Sequence, residues 1–302
     1  MAANHLFDGL LAARVTDART LLTVPAESSW SYASMVELSG RLANLLLEQK
    51  VKPGDRVAVQ VQKSAEAIAL YLATIRAGAV FLPLNTAYTR AEIEYFLEDA
   101  EPAIFVCSSQ RESEFDDIES QVFSLDGDGS GSLLQAAGTM PTEFDNVGRE
   151  SQDLAAILYT SGTTGLSKGA MLSHDNLLSN ALTLVDYWRF DSNDVLLHAL
   201  PIFHTHGLFV ATNVILIAGA SMIFLPRFDL EQMIEQLPSA NTLMGVPTFY
   251  TRLLADDRFN RDLVAHIRLF VSGSAPMLAE THLQFEERTG HRILERYGMT
   301  ET

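Results

Sequence analysis

Residues 159–169 read YTSGTTGLSKG, which puts three glycines, five serine or threonine hydroxyls and one lysine behind the apolar run LAAILY. Small donors and one cation at the end of a strand suit the oxygens of a phosphate. Gly162 and Gly165 free backbone N–H groups, Thr160, Ser161, Thr163 and Thr164 offer hydroxyls, and Lys168 adds charge. A flexible Ser/Gly turn would use the same small residues, but linkers seldom carry a lysine in an SKG context directly after an apolar strand. A Walker A loop, G-x-x-x-x-G-K-[ST], fails on spacing. Counted from Gly162, the second glycine position holds Ser167, and Gly169 stands where the magnesium-binding Ser/Thr belongs. The stretch is therefore expected to grip terminal phosphates by another construction.

That loop resembles the signature loop of the adenylate-forming superfamily of acyl-CoA synthetases, luciferases and peptide-synthetase adenylation domains. Three further stretches resemble the same superfamily in the right order: LPIFHTHG (200–207), SGSAP (272–276) and ERYGMTET (295–302). The resemblance implies that His204 lines the acyl pocket and that Ser274, Ala275 and Pro276 border the adenine ring. It implies that Glu295, Arg296, Tyr297 and Gly298 complete the adenine site, with Tyr297 stacked on the base. Thr300 would contact the α-phosphate and Glu301 would ligate Mg2+; with Lys168 they form the implied catalytic set. Each assignment suits its chemistry: an aromatic face for a purine, a hydroxyl for a phosphate oxygen, a hard carboxylate for magnesium. The alternative for His204 and His206 is a structural pair, since a zinc site would need a third ligand that the neighbouring sequence does not supply.

A closer resemblance, over KSAEAIALYLATIRAGAVFLPLNTAYTRAEIEYFLEDAEP, GAMLSHDNLLSNALTLVDYWRF, HALPIFHTHGLFVATN and LMGVPTFYTRLL, is to the malonyl-CoA synthetase (malonate–CoA ligase) family. Malonate keeps a second carboxylate after the first is activated, so its pocket needs a cation. The resemblance gives that role to Arg268, in HIRLFVSGSAP, with Ser272 and His204 beside it; a guanidinium binds a carboxylate through two parallel hydrogen bonds. The alternative for Arg268 is a solvent-facing arginine at a strand end. The implied reaction has two halves. A malonate carboxylate attacks the α-phosphorus of ATP to give malonyl-AMP and pyrophosphate, and the thiol of coenzyme A then displaces AMP. Methylmalonate or another short acid is the alternative substrate, and a nucleotide-binding module without catalysis is the alternative class. In this superfamily the ribose-binding Asp, the hinge and the small C-terminal domain with its adenylation-promoting Lys all follow the ERYGMTET motif. The 302 residues are thus expected to be most, but not all, of a large N-terminal AMP-binding domain, with impaired activity alone.

Behind these motifs, strand-like and helix-like segments alternate. RVAVQV (56–61), a helix at 64–78 ending on Gly78, FLPLN (81–85), a helix at 89–100 and AIFVCS (103–108) make a β-α-β-α-β series. Such a series predicts an α/β fold with parallel-rich sheets covered by helices. Residues 109–152, rich in acids, serines and glycines, read as an irregular surface connection between lobes at about 1–150 and 151–302. VFSLD and SLLQAA supply its apolar anchors. The second lobe repeats the alternation and includes a helix capped near Ser173 or Asp175, another from about His206, and one begun by Pro247.

Composition narrows the partners. Twenty-one Lys+Arg against 38 Asp+Glu leave a formal charge of −17, which repels nucleic acids and anionic membranes. The lone Cys107, in AIFVC, excludes a disulfide framework and a CxxC site and reads as a buried thiol. No segment reads as a signal peptide or a membrane span, so a cytoplasmic setting is expected.

Overall fold

The structure, a computed structural model, describes residues 3–160 and 167–300. It resolves into two compact units. One takes the chain up to Arg19 and Ser31–Ala181, and the other takes Thr20–Trp30 and Leu182–Thr300.

The second unit is built on β1 (Thr20–Val24), β2 (Ser28–Ser31), β9 (Val195–His198), β10 (Ser221–Phe224), β11 (Thr242–Gly245), β12 (Leu269–Ser272) and β13 (Ile293–Glu295). The first unit holds β3 (Arg56–Val59), β4 (Val80–Pro83), β5 (Ile104–Cys107), β6 (Gln121–Ser124), β7 (Leu154–Thr160) and β8 (Lys168–Ser173).

In the first unit the order is β6-β5-β3-β4-β7-β8, parallel throughout except for the antiparallel pair β7–β8 at one edge. The apolar strands β4 and β5 are buried along their whole length, as strands covered on both faces must be. The helix Ala65–Arg76 is buried on nearly every side, is capped by the Ser64 side chain and stops before Gly78, whose φ of 73° suits glycine. The helix Arg90–Ala100 opens with a reciprocal capping box between Thr89 and Glu92. Ser173 and Asn176 exchange hydrogen bonds at the start of His174–Trp188, in agreement with the expected cap.

The expected connection at 109–152 is instead part of the first unit. It contributes β6 and the helix Ser132–Ala137, and then a strap pinned by Arg76, which donates to the Phe144 carbonyl and to Asn146. The expected break near residue 150 also moves. β7 and β8 join the first unit because β7 pairs with β4, so the units part after Ala181, and β1–β2 cross to the second sheet.

The second sheet runs β13-β12-β11-β9-β10-β1-β2, with β13 through β1 parallel. From β9 the chain winds to β10 on one side and to β11, β12 and β13 on the other, so the winding reverses between β9 and β11. In such sheets ligands bind beyond the carboxyl ends of the strands at the reversal.

Candidate functional site

The register sets Phe224 and Met244 level with His198, and Gly245 and Glu295 level with Ser272, all at the carboxyl edge of the second sheet. LPIFHTHG leaves β9 at this edge, SGSAP leaves β12, and ERYGMTET begins at the end of β13. Of the residues expected to bind the acid and the adenine, His204, Ser272, Ser274, Ala275, Pro276, Glu295, Arg296, Tyr297 and Gly298 all lie at or just beyond it. Arg296 N–H donates to the Ser272 carbonyl at 2.7 Å and Gly273 N–H to the Gly245 carbonyl at 3.1 Å, which stitches the three strand ends together.

The segment after β9 turns as a π-helix, His206–Thr212, a rare form concentrated at functional sites. Its carbonyl at Gly207 lies 2.9 Å from His198 Nε2 and accepts from Thr212 Oγ1 at 3.0 Å. A Cβ on Gly207 would sit 2.0 Å from the Pro201 carbonyl oxygen, so only glycine closes this turn. The turn buries His206 to 3% exposure and sets its Nδ1 3.2 Å from Ser274 Oγ. Ser274 has a φ of 69°, the left-handed region that a serine seldom occupies. Burial, with lesser contributions from Arg296 and His204, lowers the His206 pKa to about 4; burial lowers that of His204 as well. Both imidazoles are therefore neutral at pH 7. Thr205 Oγ1, His206 Nε2 and Ser272 Oγ are buried without a hydrogen-bond partner among the described residues. Three orphaned polar atoms at the carboxyl edge are what a site built for a polar ligand leaves when the ligand is away.

Tyr297 is 88% exposed, an open aromatic face, and Thr300 is half-buried. Glu295 faces His282 at 3.1 Å. Glu301 lies outside the described residues.

Arg268 does not join this group. It precedes β12, four residues and about 13 Å from Ser272 along the strand. There its Nε and Nη2 each donate to the buried Asp194 carboxylate at 2.6 Å, its Nη1 donates to the Trp188 carbonyl at 3.0 Å, and its guanidinium lies 4.9 Å from the Phe190 ring. Asp194 precedes β9, so the pair ties strand starts together at the edge opposite the site. The expected malonate role of Arg268 is corrected to a structural one: the bidentate grip expected of it is real, but a protein carboxylate already fills it. Of two guanidiniums beyond the carboxyl ends, Arg296 was expected beside adenine and Arg252 carried no expectation. Arg252 stacks 4.3 Å over Phe228, and Arg296, partly buried, perturbs His206; neither has a carboxylate partner among the described residues. The legible signal for Arg252 was its helix, which starts directly after β11.

In the first unit the phosphate-loop residues Ser161, Gly162, Thr163, Thr164 and Gly165 lie outside the described residues, but both stems are described. Thr160 ends β7, Lys168 begins β8, and the two are cross-strand partners. The loop thus joins antiparallel strands, whereas a Walker A loop runs from a strand into a helix, which is the structural reason its spacing fails here. Lys168 is exposed and makes no ion pair with a described residue. Gly169 faces Tyr159 in register, and a Cβ there would lie 2.9 Å from Ile157 Cγ2. This contact accounts for the glycine that the Walker pattern does not predict.

Comparison with known proteins follows this geometry. The model of the AMP-binding enzyme family matches residues 11–302. A malonate–CoA ligase of Arabidopsis thaliana is 31% identical over 90% of this chain and 52% of its own. The mitochondrial malonate–CoA ligase ACSF3 of Mus musculus is 32% identical over 84% and 47%. The crystal structure of apo MatB from Rhodopseudomonas palustris superposes with a TM-score of 0.96 at 53% identity, over 99% of this chain and 60% of that one, and ATP-bound MatB from the same organism gives 0.96 at 54%. The chain spans about half the length of these curated relatives. With the phosphate-loop stems, the π-turned histidine segment and the β12 and β13 ends all placed within the matched residues, the chain belongs to the AMP-binding enzyme family.

Proposed function

We propose that the protein of which these residues are part is an AMP-forming acid–CoA ligase acting on malonate. Malonate and ATP give malonyl-AMP and pyrophosphate, and coenzyme A then gives malonyl-CoA and AMP. The likeness to the MatB structures over 99% of the chain carries this reading. The orphaned Thr205, His206 and Ser272 atoms support a polar acid rather than a fatty one, because an apolar tail would leave them unsatisfied.

The residues fall into roles by their place in each unit. Thr160, Ser161, Gly162, Thr163, Thr164, Gly165 and Lys168 hold ATP phosphates. Ser274, Ala275, Pro276, Glu295, Arg296, Tyr297 and Gly298 border adenine, with the open face of Tyr297 as the stacking surface. His204 and Ser272 line the acid pocket, and Thr300 meets the α-phosphate. Magnesium takes few protein ligands and reaches nucleotide sites largely on phosphate oxygens. A single hard carboxylate, Glu301, is therefore the residue assigned to magnesium. Adenylation is then mainly positioning and electrostatics. No helix of the described residues is long and apolar enough to cross a membrane. A reducing cytoplasmic setting suits the buried Cys107, whose thiol burial pushes up to about 12.

The second carboxylate of malonate is assigned to Arg252 or Arg296, guanidiniums beyond the strand ends that have no carboxylate partner among the described residues. The test is malonate-dependent ATP–pyrophosphate exchange by the full-length protein. Exchange with malonate and little with acetate is expected, by roughly 10⁴-fold, as for a site built around a polar group. Replacing the acid-binding arginine by alanine should abolish malonate exchange while ATP binding persists. ATP binding without exchange would make the protein a nucleotide-binding module instead.

A further inference from the structure

The helix Arg90–Ala100 touches both stems of the phosphate loop. Tyr95 Oη donates to the Ser167 carbonyl at 2.9 Å, and the Tyr159 hydroxyl donates to Asp99 Oδ2 at 2.5 Å. Tyr95 and Asp99 are four residues apart and so share one face of the helix. Between them the rings close ranks: Phe96 lies 4.4 Å and Tyr95 6.4 Å from Tyr159, centroid to centroid, against the core that includes Phe96, Leu97 and Phe105. Tyr159 and Ser167 each adjoin a member of the last rung of the hairpin, Thr160 and Lys168. Opposite Tyr159, Gly169 leaves the ring room, since any Cβ there would stand 3.7 Å from it and closer still to Ile157. One helix face thus fixes the loop's entry through a carboxylate and its exit through a backbone carbonyl.

We propose that Tyr95 and Asp99 are positioning residues that hold the stems Tyr159–Thr160 and Ser167–Lys168 at one separation, so that the Thr160 hydroxyl and the Lys168 ammonium meet the β- and γ-phosphates of a nucleoside triphosphate together. Neither residue touches the nucleotide. Each acts through a stem, and the cost of binding falls because the stems are ordered before the ligand arrives. This inference rests on the nucleotide reading above.

The test compares ATP with AMP, which lacks the two outer phosphates, by titration calorimetry on the full chain, with thermal unfolding in parallel. Tyr95→Phe keeps the ring and removes one hydrogen bond; Asp99→Leu keeps about the same volume and removes the acceptor. Each should weaken ATP about three- to tenfold, the worth of one net hydrogen bond, and leave AMP affinity unchanged, with the unfolding temperature lowered by only a few degrees. In a Lys168→Ala background, Tyr95→Phe should have no further effect on ATP, since its influence runs through the stem that carries the lysine. Equal losses for ATP and AMP, no loss for ATP, or an undiminished effect in the Lys168→Ala background would overturn the proposal. If one variant fails to fold, the other carries the comparison. A wild-type chain that binds neither nucleotide overturns the nucleotide reading itself, and the clamp with it.

Discussion

At the scale of single residues, His206 has the most to lose. Its ring is wedged between the π-turn and the β12 end, where a Cβ on Gly273 would come within 3.2 Å of its Cε1, and its Nδ1 faces the strained Ser274. Burial holds its pKa at about 4 against a usual value of 6.5. The folded state therefore binds the proton later than the unfolded chain does. The stability that the neutral ring contributes is complete above pH 6.5 and is lost as pH falls towards 4, by about 3 kcal/mol over that window. Buried His174 is lowered to about 4 by the same cause and adds to the acid loss. His206→Gln, which cannot titrate, should flatten the fall of urea-unfolding free energy between pH 6.5 and 4.5. An unchanged slope would mean that the ring is not sequestered. At pH 7 the same variant should raise the KM for ATP by releasing Ser274, which His206 Nδ1 holds at 3.2 Å.

At the scale of elements, the parallel strands of the second unit are tied at both edges, by backbone at the carboxyl edge and by Arg268–Asp194 at the other. Arg268→Ala would strand the carboxylate of Asp194, which is 2% exposed. Because Arg268 is about a third exposed and Asp194 keeps the Asp191 N–H, the cost falls below the ~3–5 kcal/mol of a fully buried pair. Denaturant unfolding should show that loss, while malonate-dependent exchange per folded molecule stays near wild type. A selective loss of malonate turnover without destabilisation would return Arg268 to the acid site. The element scale also explains the misplaced lobe boundary. A hairpin such as β7–β8 is local in sequence, but the strand it joins, β4, is about 70 residues earlier, and no local pattern reports that pairing.

At the scale of the whole molecule, 38 acidic against 21 basic side chains set the long-range field, formally −17. A small anion approaching this field needs local cations, the role proposed for Lys168, while long polyanions are repelled. A labelled DNA duplex should show no mobility shift with the protein even at low salt, where charge attraction would be strongest. A shift that vanishes with added salt would reveal a basic face that the composition hides.

The sequence by itself determined the family, the alternation that makes an α/β fold, and the motifs that gather at the carboxyl edge of the second sheet. These are local properties: apolar periodicity, caps such as Ser64 and Thr89, glycines where backbone must bend or approach closely. It also excluded the Walker loop, by spacing alone. Only the tertiary structure decided that Arg268 is taken by Asp194, 74 residues away. It also showed that residues 109–152 complete the first unit and that one helix face holds both stems of the phosphate loop. A guanidinium reads the same in sequence whether its partner is a ligand or a buried carboxylate, and only long-range packing chooses between them.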